Sequence, residues 1–318
     1  MICNFCYRHC NIKEGNTGFC GVRKIKNNQL ISTGYGYLDA VALDPIEKKP
    51  LYHFLPGSKT LSVAESGCNY HCAFCQNWQL SQNKKNNNST YVSPKELVNL
   101  ALKYKVPSIS FTYSEPIVWQ DYVIDTSIIA KKTGIKTVMV TNGSFSKEAR
   151  ETLAPLIDAF NIDLKGNADY YKKICKGTIE PVLEGIKYLI EKGNHVEITT
   201  LLIESIHTEK DVQALAKNLK DFGVQVWHLS RFFPNYEMSA IAETSEKFLS
   251  EMINIAKESG IPYVYGGNTS RVESTICSNC KQVLINNHTD SEAIKKDCNQ
   301  NIPKGRCKYC DYPIYGAF

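Results

Sequence analysis

Between residues 61 and 267 the chain alternates short β-branched or apolar runs with longer stretches in which apolar residues recur every three or four positions. That alternation is the signature of repeated strand–helix units. LSVAES (61–66), SISFTYS (108–114), KTVMVTN (136–142), AFNIDLK (159–165), HVEITTLLI (195–203), QVWHLS (225–230) and PYVYGG (262–267) predict strands. SPKELVNLALKY (93–104), SKEARETLAPLI (146–157), EPVLEGIKYLIEKG (180–193), TEKDVQALAKNLKDFG (208–223) and SEKFLSEMINIAKESG (245–260) predict helices. Ser93 and Ser146 suit N-caps, Pro94 and Pro181 first turns, and Gly134, Gly193, Gly223 and Gly260 the positions after last turns. The expected fold class is α/β with a parallel sheet. Six or seven strands here fall short of the roughly 250 residues of a full eight-stranded barrel, so a partial (β/α)6-type barrel is expected over 61–270. Its C-terminal strand ends form one rim, where loops gather residues distant in sequence. Residues 1–60 then make a cysteine-rich N-terminal extension, and residues 271–318 a zinc-ribbon-like C-terminal segment.

Composition narrows the setting. With 318 residues and 43% hydrophobic content the chain can bury a substantial core. It contains no run of about 18 uncharged apolar residues, and MICNFCYRHC lacks the features of a secretory signal, so a cytoplasmic protein with no membrane partner is expected. The excess of 37 basic over 32 acidic residues is spread along the chain and does not imply nucleic acid. KKNNNS (84–89) reads as a polar, mobile connection. The thirteen cysteines, at 3, 6, 10, 20, 68, 72, 75, 175, 277, 280, 298, 307 and 310, matter more. A disulfide framework belongs to small secreted chains, whereas close cysteine groups in a larger chain without a leader point to metal.

Cys68, Cys72 and Cys75 follow the first predicted strand in GCNYHCAFC. A structural zinc requires four ligands, and so does an ordinary iron–sulfur cluster. Three thiolates on a [4Fe-4S] cube leave one iron open to a ligand with adjacent amino and carboxylate groups, such as the methionine end of S-adenosylmethionine (SAM). Later strand ends add polar groups to the same rim. TYSEP brings Ser114 and Glu115, TNG brings Asn142, and DLKG brings Asp163 and Lys165, which share a face. HVEITTLLI carries Glu197, Thr199 and Leu201 on one face, and WHLSRF adds His228 and Arg231 as substrate-side candidates. Singly these residues read as a salt-bridge network or packed groups. Together, at successive strand ends, they read as a ligand site.

The C-x3-C-x-aromatic-C pattern with Phe74 resembles the radical SAM superfamily, and TYSEP, TNG and DLKG are similar to segments of the pyruvate formate-lyase activating enzyme group. The resemblance implies a [4Fe-4S] cluster on Cys68, Cys72 and Cys75 and SAM bound beside it. It also implies Phe74 near the adenine, Glu115 accepting from the methionine ammonium, Asp163 and Lys165 at the ribose and carboxylate, and Ser114, Asn142, Glu197 and Thr199 as further SAM contacts. YGYLDAVALDPIEKKPLYHFLPGS (35–58), GCNYHCAFCQNWQLS (67–81), HLSRFFPNY (228–236) and YGGN (265–268) narrow the likeness to the radical SAM enzyme of the AmmeMemoRadiSam system. Phe233 stands where that family is expected to carry histidine, and the second glycine of YGGN also departs. The likeness implies a flavodoxin- or ferredoxin-type electron donor, AMMECR-like and Memo-like companions, and a 5'-deoxyadenosyl radical that takes hydrogen from a substrate. A glycyl radical activase and a non-catalytic iron–sulfur or zinc scaffold or electron carrier are the alternatives.

The flanking cysteines form two more groups. Cys277 with Cys280 and Cys307 with Cys310 make two C-x2-C knuckles, as in a structural zinc site, with Cys298 spare. Cys3, Cys6, Cys10 and Cys20 suit either zinc or a second iron–sulfur cluster, with His9 a neighbour. Cys175 reads as a small buried residue, and the charge run of Asp44, Glu47, Lys48 and Lys49 as a solvated face.

Overall fold

The computed structural model describes residues 1–82, 89–270, 273–286 and 290–318; most of the KKNNNS connection lies outside them. Among the described residues one large sheet has eight strands in sequence order: β1 (Ala40–Pro45), β2 (Lys59–Ala64), β3 (Ser108–Phe111), β4 (Lys136–Thr141), β5 (Ala159–Asp163), β6 (His195–Leu202), β7 (Val226–Arg231) and β8 (Tyr263–Gly267). From β2 to β8 every neighbouring pair is parallel, and β1 pairs antiparallel with β2. The parallel α/β architecture expected from periodicity is therefore present, with seven parallel strands and one further edge strand, β1, that the pattern did not signal. Its alternation is weak, and Val41 and Leu43 face solvent.

Helices α1 (Pro94–Lys103), α2 (Gln120–Thr133), α3 (Lys147–Leu153), α4 (Glu180–Glu191), α5 (Glu209–Asp221) and α6 (Glu246–Glu258) connect the strands. Their ends follow local chemistry. Ser93 and Glu96 form a capping box at α1, Ser146 accepts from the Ala149 N–H at α3, and Gly134 closes α2 in the left-handed region. Alternate strand residues, including Leu61, Phe111, Met139, Phe160, Ile198 and Trp227, pack against the helices in one core. Each such fully buried side chain contributes roughly 1.5–3 kcal/mol.

The other sheet face is more polar, and its partner comes from the chain itself. The segment 46–58 between β1 and β2 crosses it, burying Ile46, Leu51 and Phe54 against Val138 and Ala159. Asn161 donates to the Pro50 carbonyl, and the N–H groups of Tyr52 and His53 donate to the Glu197 carboxylate. The C-terminal tail seals this layer: Leu55 and Ala317 exchange backbone bonds with their neighbours, and the Tyr315 hydroxyl meets β6 at Val196. No described helix is long and apolar enough to cross a membrane.

Candidate active site

At the C-terminal strand ends a cavity of about 430 Å³ opens, and most of the residues expected there line it: Cys68, Cys72, Phe74, Cys75, Ser114, Glu115, Asn142, Asp163, Lys165 and Thr199. The cysteine loop leaves β2 through Gly67, whose φ of 108° and closeness to Val22, with Cγ1 2.8 Å from where a Cβ would stand, exclude a side chain. His71 N–H donates to the Cys175 carbonyl and Ala73 N–H to the Ile174 carbonyl, so the loop is strapped to the helical turn Tyr171–Cys175. Donors surround its sulfurs. Tyr70 N–H lies 3.3 Å from Cys68 Sγ, Asn142 Nδ2 lies 3.8 Å from the same atom, and Ser81 Oγ lies 3.1 Å from Cys75 Sγ. Burial raises the pKa of Cys68 and Cys75, so these sulfurs ionise only against a cation.

Glu115 is the hub behind this loop. Its carboxylate accepts from Thr141 Oγ1 at 2.6 Å, Asn142 N–H at 2.7 Å and Ile117 N–H at 3.1 Å. Burial nevertheless pushes its pKa up to about 7. Asn142 donates in turn to Asn69 Oδ1, and Asn69 to Ser144 Oγ. Lys165 Nζ lies 2.7 Å from Asp163 and 5.7 Å from the Phe74 ring centre. Burial opposes the Lys165 charge, but the Asp163 carboxylate together with Cys72, Cys175 and Tyr171 outweighs it and the pKa rises. The cavity thus offers three soft sulfurs on one wall and a carboxylate, an ammonium and amides on the others, a donor set that fits an iron cluster plus a zwitterionic ligand.

Glu197, His228 and Arg231 are placed elsewhere. Glu197 shares the face of Thr199 but lies deeper, fully buried, accepting from His195, His228 and the 52–53 backbone. Arg231 pairs with Glu246 at 2.8 Å and with Glu243 at 3.2 Å. Sequence reasoning missed three other neighbours of the site. Lys49, read as solvated, is 3% exposed, bonds Asp44 at 2.8 Å and sits 4.4 Å from the Tyr113 ring centre on the cavity wall. Tyr113 itself adopts φ 66° and donates to Asp44. The Cys175 thiol, fully buried, abuts Cys72 and raises its pKa. None had a local pattern to betray it.

The flanking cysteines differ sharply from each other. Cys277, Cys280, Cys307 and Cys310 bring their sulfurs within 4.8 Å of one another, with Cys277–Cys310 and Cys280–Cys307 each 3.7 Å apart. Tetrahedral thiolates about 2.3 Å from a zinc lie about 3.8 Å apart, so two of the pairs already stand at zinc spacing and the quartet fits a structural zinc. Asn279 donates to Cys310 and pulls its thiol down to about 6. Among the described residues it is the only set of three or more metal-type ligands so close together. Cys3, Cys6, Cys10 and Cys20 all line one small cavity beside Asn69 and Val118, in a looser arrangement. Cys298 packs in the C-terminal core.

Three kinds of comparison bear on this geometry. Residues 65–219, which hold the cysteine loop and the rim through α5, match the model of the radical SAM superfamily. The Methanocaldococcus jannaschii protein MJ0808, whose name assigns it no activity, is 41% identical over 98% of this chain and 94% of its own length. MJ1227 of the same organism, named for glycyl-radical enzyme activation, is 27% identical over 60% of this chain and 82% of its own. Streptococcus suis SuiB, solved with its precursor peptide SuiA, shares the fold with a TM-score of 0.53 at 16% identity, over 71% of this chain and 52% of SuiB. A cysteine loop, an acid-lined rim and a partly wound parallel barrel that agree in sequence and in fold leave one assignment: the chain belongs to the radical SAM superfamily.

Proposed function

We propose that the protein is a radical SAM enzyme that cleaves SAM reductively and abstracts hydrogen from a substrate. The observation that carries this reading is the cavity in which Cys68, Cys72 and Cys75 share walls with Glu115, Asp163 and Lys165. The three cysteines hold a [4Fe-4S] cluster, which when bound supplies the electron that splits the SAM sulfonium into methionine and a 5'-deoxyadenosyl radical. Phe74 flanks the adenine, and Asp163 and Lys165 hold the ribose and carboxylate. Glu115 accepts from the methionine ammonium with the lone pairs its three protein donors leave free. Ser114, Asn142 and Thr199 complete the cradle, while Glu197 supports it from below through the 52–53 backbone. Structural zinc occupies the C-terminal quartet, and a flavodoxin- or ferredoxin-type protein donates the electron. AMMECR-like and Memo-like proteins are the companions implied by the closer likeness. Anaerobically reconstituted protein with a spectroscopically intact cluster should release 5'-deoxyadenosine and methionine under a strong reductant. No cleavage from such protein would overturn the reading, and no SAM binding at all would favour a scaffold or electron carrier.

The similarity to MJ1227 supports a narrower second reading, activation of a glycyl radical protein. An activase leaves a persistent glycine-centred radical on its partner, whereas direct modification leaves a mass change and no radical.

A further inference from the structure

We infer that Cys3, Cys6, Cys10 and Cys20 hold a second iron–sulfur cluster, back to back with the rim site, and that Arg23 hydrogen-bonds to it. All four thiols line one enclosed cavity with Phe5, Arg8, Phe19, Arg23 and Asn69.

Spacing decides between zinc and a cluster. The C-terminal quartet of the same chain has all four sulfurs within 4.8 Å of one another, two pairs at the 3.7 Å separation that a single ion imposes. No three of the N-terminal sulfurs come within 4.8 Å of one another, and the same holds for Cys68, Cys72 and Cys75. Sulfurs arranged around a multi-atom core must stand farther apart than sulfurs around one ion. The N-terminal set, like the rim trio, lacks the close spacing of the zinc-like site.

A second observation points to an occupant. The Arg23 side chain is 3% exposed and bonds Asp121 through Nη1, yet its buried Nε has no partner. A buried orphan N–H costs about 1–3 kcal/mol, and this one belongs to a cation lining the cavity. Bridging sulfides and thiolates of a negatively charged cluster are acceptors that would satisfy it. Phe5 and Phe19, lying under the guanidinium groups of Arg23 and Arg8, exclude water from the same wall.

The placement gives the cluster a role. Cys68 faces the rim cavity and Asn69 the N-terminal one, so consecutive residues form the shared wall. The extension is tied to that wall: Arg8 Nε donates to the Asn69 carbonyl at 2.7 Å, Tyr7 N–H to the Ser144 carbonyl at 3.2 Å, and Cys6 bridges Phe145. One electron from a ferredoxin- or flavodoxin-class donor, which is itself oxidised by one electron, can be accepted here on the way to the rim. This relay role rests on the function proposed above; the site does not.

The test uses the full chain with Cys68, Cys72 and Cys75 all replaced by alanine, reconstituted anaerobically with iron and sulfide and purified. Iron and acid-labile sulfide should fall from about eight of each per chain in the wild type to about four, not to zero, with one zinc retained. Adding Cys6→Ala and Cys20→Ala should then remove the remaining sulfide. A triple variant with no labile sulfide, or one whose sulfide survives the two further substitutions, would overturn the inference. Should the fivefold variant not fold, Arg23→Gln on the triple background reads the same site: the cluster's midpoint potential should move lower, and an unchanged potential would refute its placement beside Arg23. Failure of the wild type to cleave SAM would touch only the earlier proposal.

Discussion

The C-terminal cysteines and the rim cysteines are both metal-type sets, and the contrast between them separates holding a fold from doing chemistry. Cys277, Cys280, Cys307 and Cys310 bring four sulfurs within 4.8 Å of one another, enough to fill every position a structural zinc has to offer. None lines the rim cavity, and they pack with Ile294, Cys298 and Ile302 in a core of their own. Cys68, Cys72 and Cys75 are one thiol short and open onto a cavity lined by ionic groups. A saturated set stabilises; an unsaturated one leaves a coordination position for a reactant.

The largest expected effect sharpens that contrast. Cys72→Ala should lower reductive SAM cleavage by on the order of 10⁴-fold or more, the scale of losing an essential catalytic group. Its urea unfolding free energy should change by only about 1 kcal/mol. An equal loss of stability would mean that the rim loop, too, is a structural knuckle.

Next in size, Cys280→Ala with Cys310→Ala should abolish zinc binding, measured by elemental analysis, and cost several kcal/mol of stability. The damage should spread, because the tail that follows Cys310 pairs with residues 53–55 inside the barrel. SAM affinity of the protein that remains folded should fall less than tenfold. A full loss of SAM binding with intact folding would break the division between the two sets.

How much of this was legible in the chain depends on what a pattern encodes. Period-two alternation put Glu197 and Thr199 on the correct sheet face, but alternation carries no depth. Two strand residues span about 6.6 Å, enough to set Thr199 in the cavity wall and Glu197 in the packed layer beneath. Cysteine spacing revealed three local groups and not the distances between sulfurs, which depend on where separate knuckles dock. Cys175 and Lys49 were invisible for the same reason: one reaches Cys72 across about a hundred residues of sequence, and the other is buried by a segment that a charge run made look solvated. Strand β1 lacked clean alternation, while helix caps at Ser93 and Ser146 were local and therefore readable.

The layer beneath the cavity supplies a third test. His53 is fully buried between the Tyr315 carbonyl and the Tyr265 hydroxyl, and burial lowers its pKa from 6.5 to about 4. Burial opposes the Glu197 charge as well, but hydrogen bonds from His195 and His228 hold its carboxyl well below the usual range. Both signs agree. A histidine with a depressed folded pKa and a carboxylate with a depressed folded pKa each contribute stability at neutral pH that is lost on acidification. For His53 the loss runs from about pH 6.5 down to about 4 and amounts to roughly 3 kcal/mol; the Glu197 share follows below its unfolded pKa near 4.3. Urea midpoints measured from pH 7.5 to 4.5 should fall accordingly, and a flat profile would show that this layer opens to solvent.

Smaller still is the effect expected at Asp163. Asp163→Asn removes the partner of Lys165 and one acceptor for the ribose, and should weaken SAM binding by about tenfold, or about 1.4 kcal/mol, while iron content stays at the wild-type level. A variant that loses iron as well would place Asp163 in support of the cysteine loop rather than in the SAM site.

The smallest effect bears on where the reactive region ends. Asp44 belongs to the end of β1 and Lys49 to the structural segment between β1 and β2, yet Lys49 faces the cavity. Burial pulls the Lys49 pKa down even with Asp44 beside it, while Lys49 and Tyr113 hold the Asp44 carboxyl below its ordinary range against burial. These opposite tendencies, and the partial exposure of Asp44, leave a net contribution near 1 kcal/mol. Lys49→Met should therefore destabilise modestly by stranding Asp44, and Lys49→Met with Asp44→Asn should recover that loss in urea titrations. If the pair only braces Tyr113 at its positive φ, the double variant should also regain wild-type SAM cleavage. If Lys49 contacts a ligand, stability returns and cleavage does not, which extends the reactive half of the molecule into the segment 46–58.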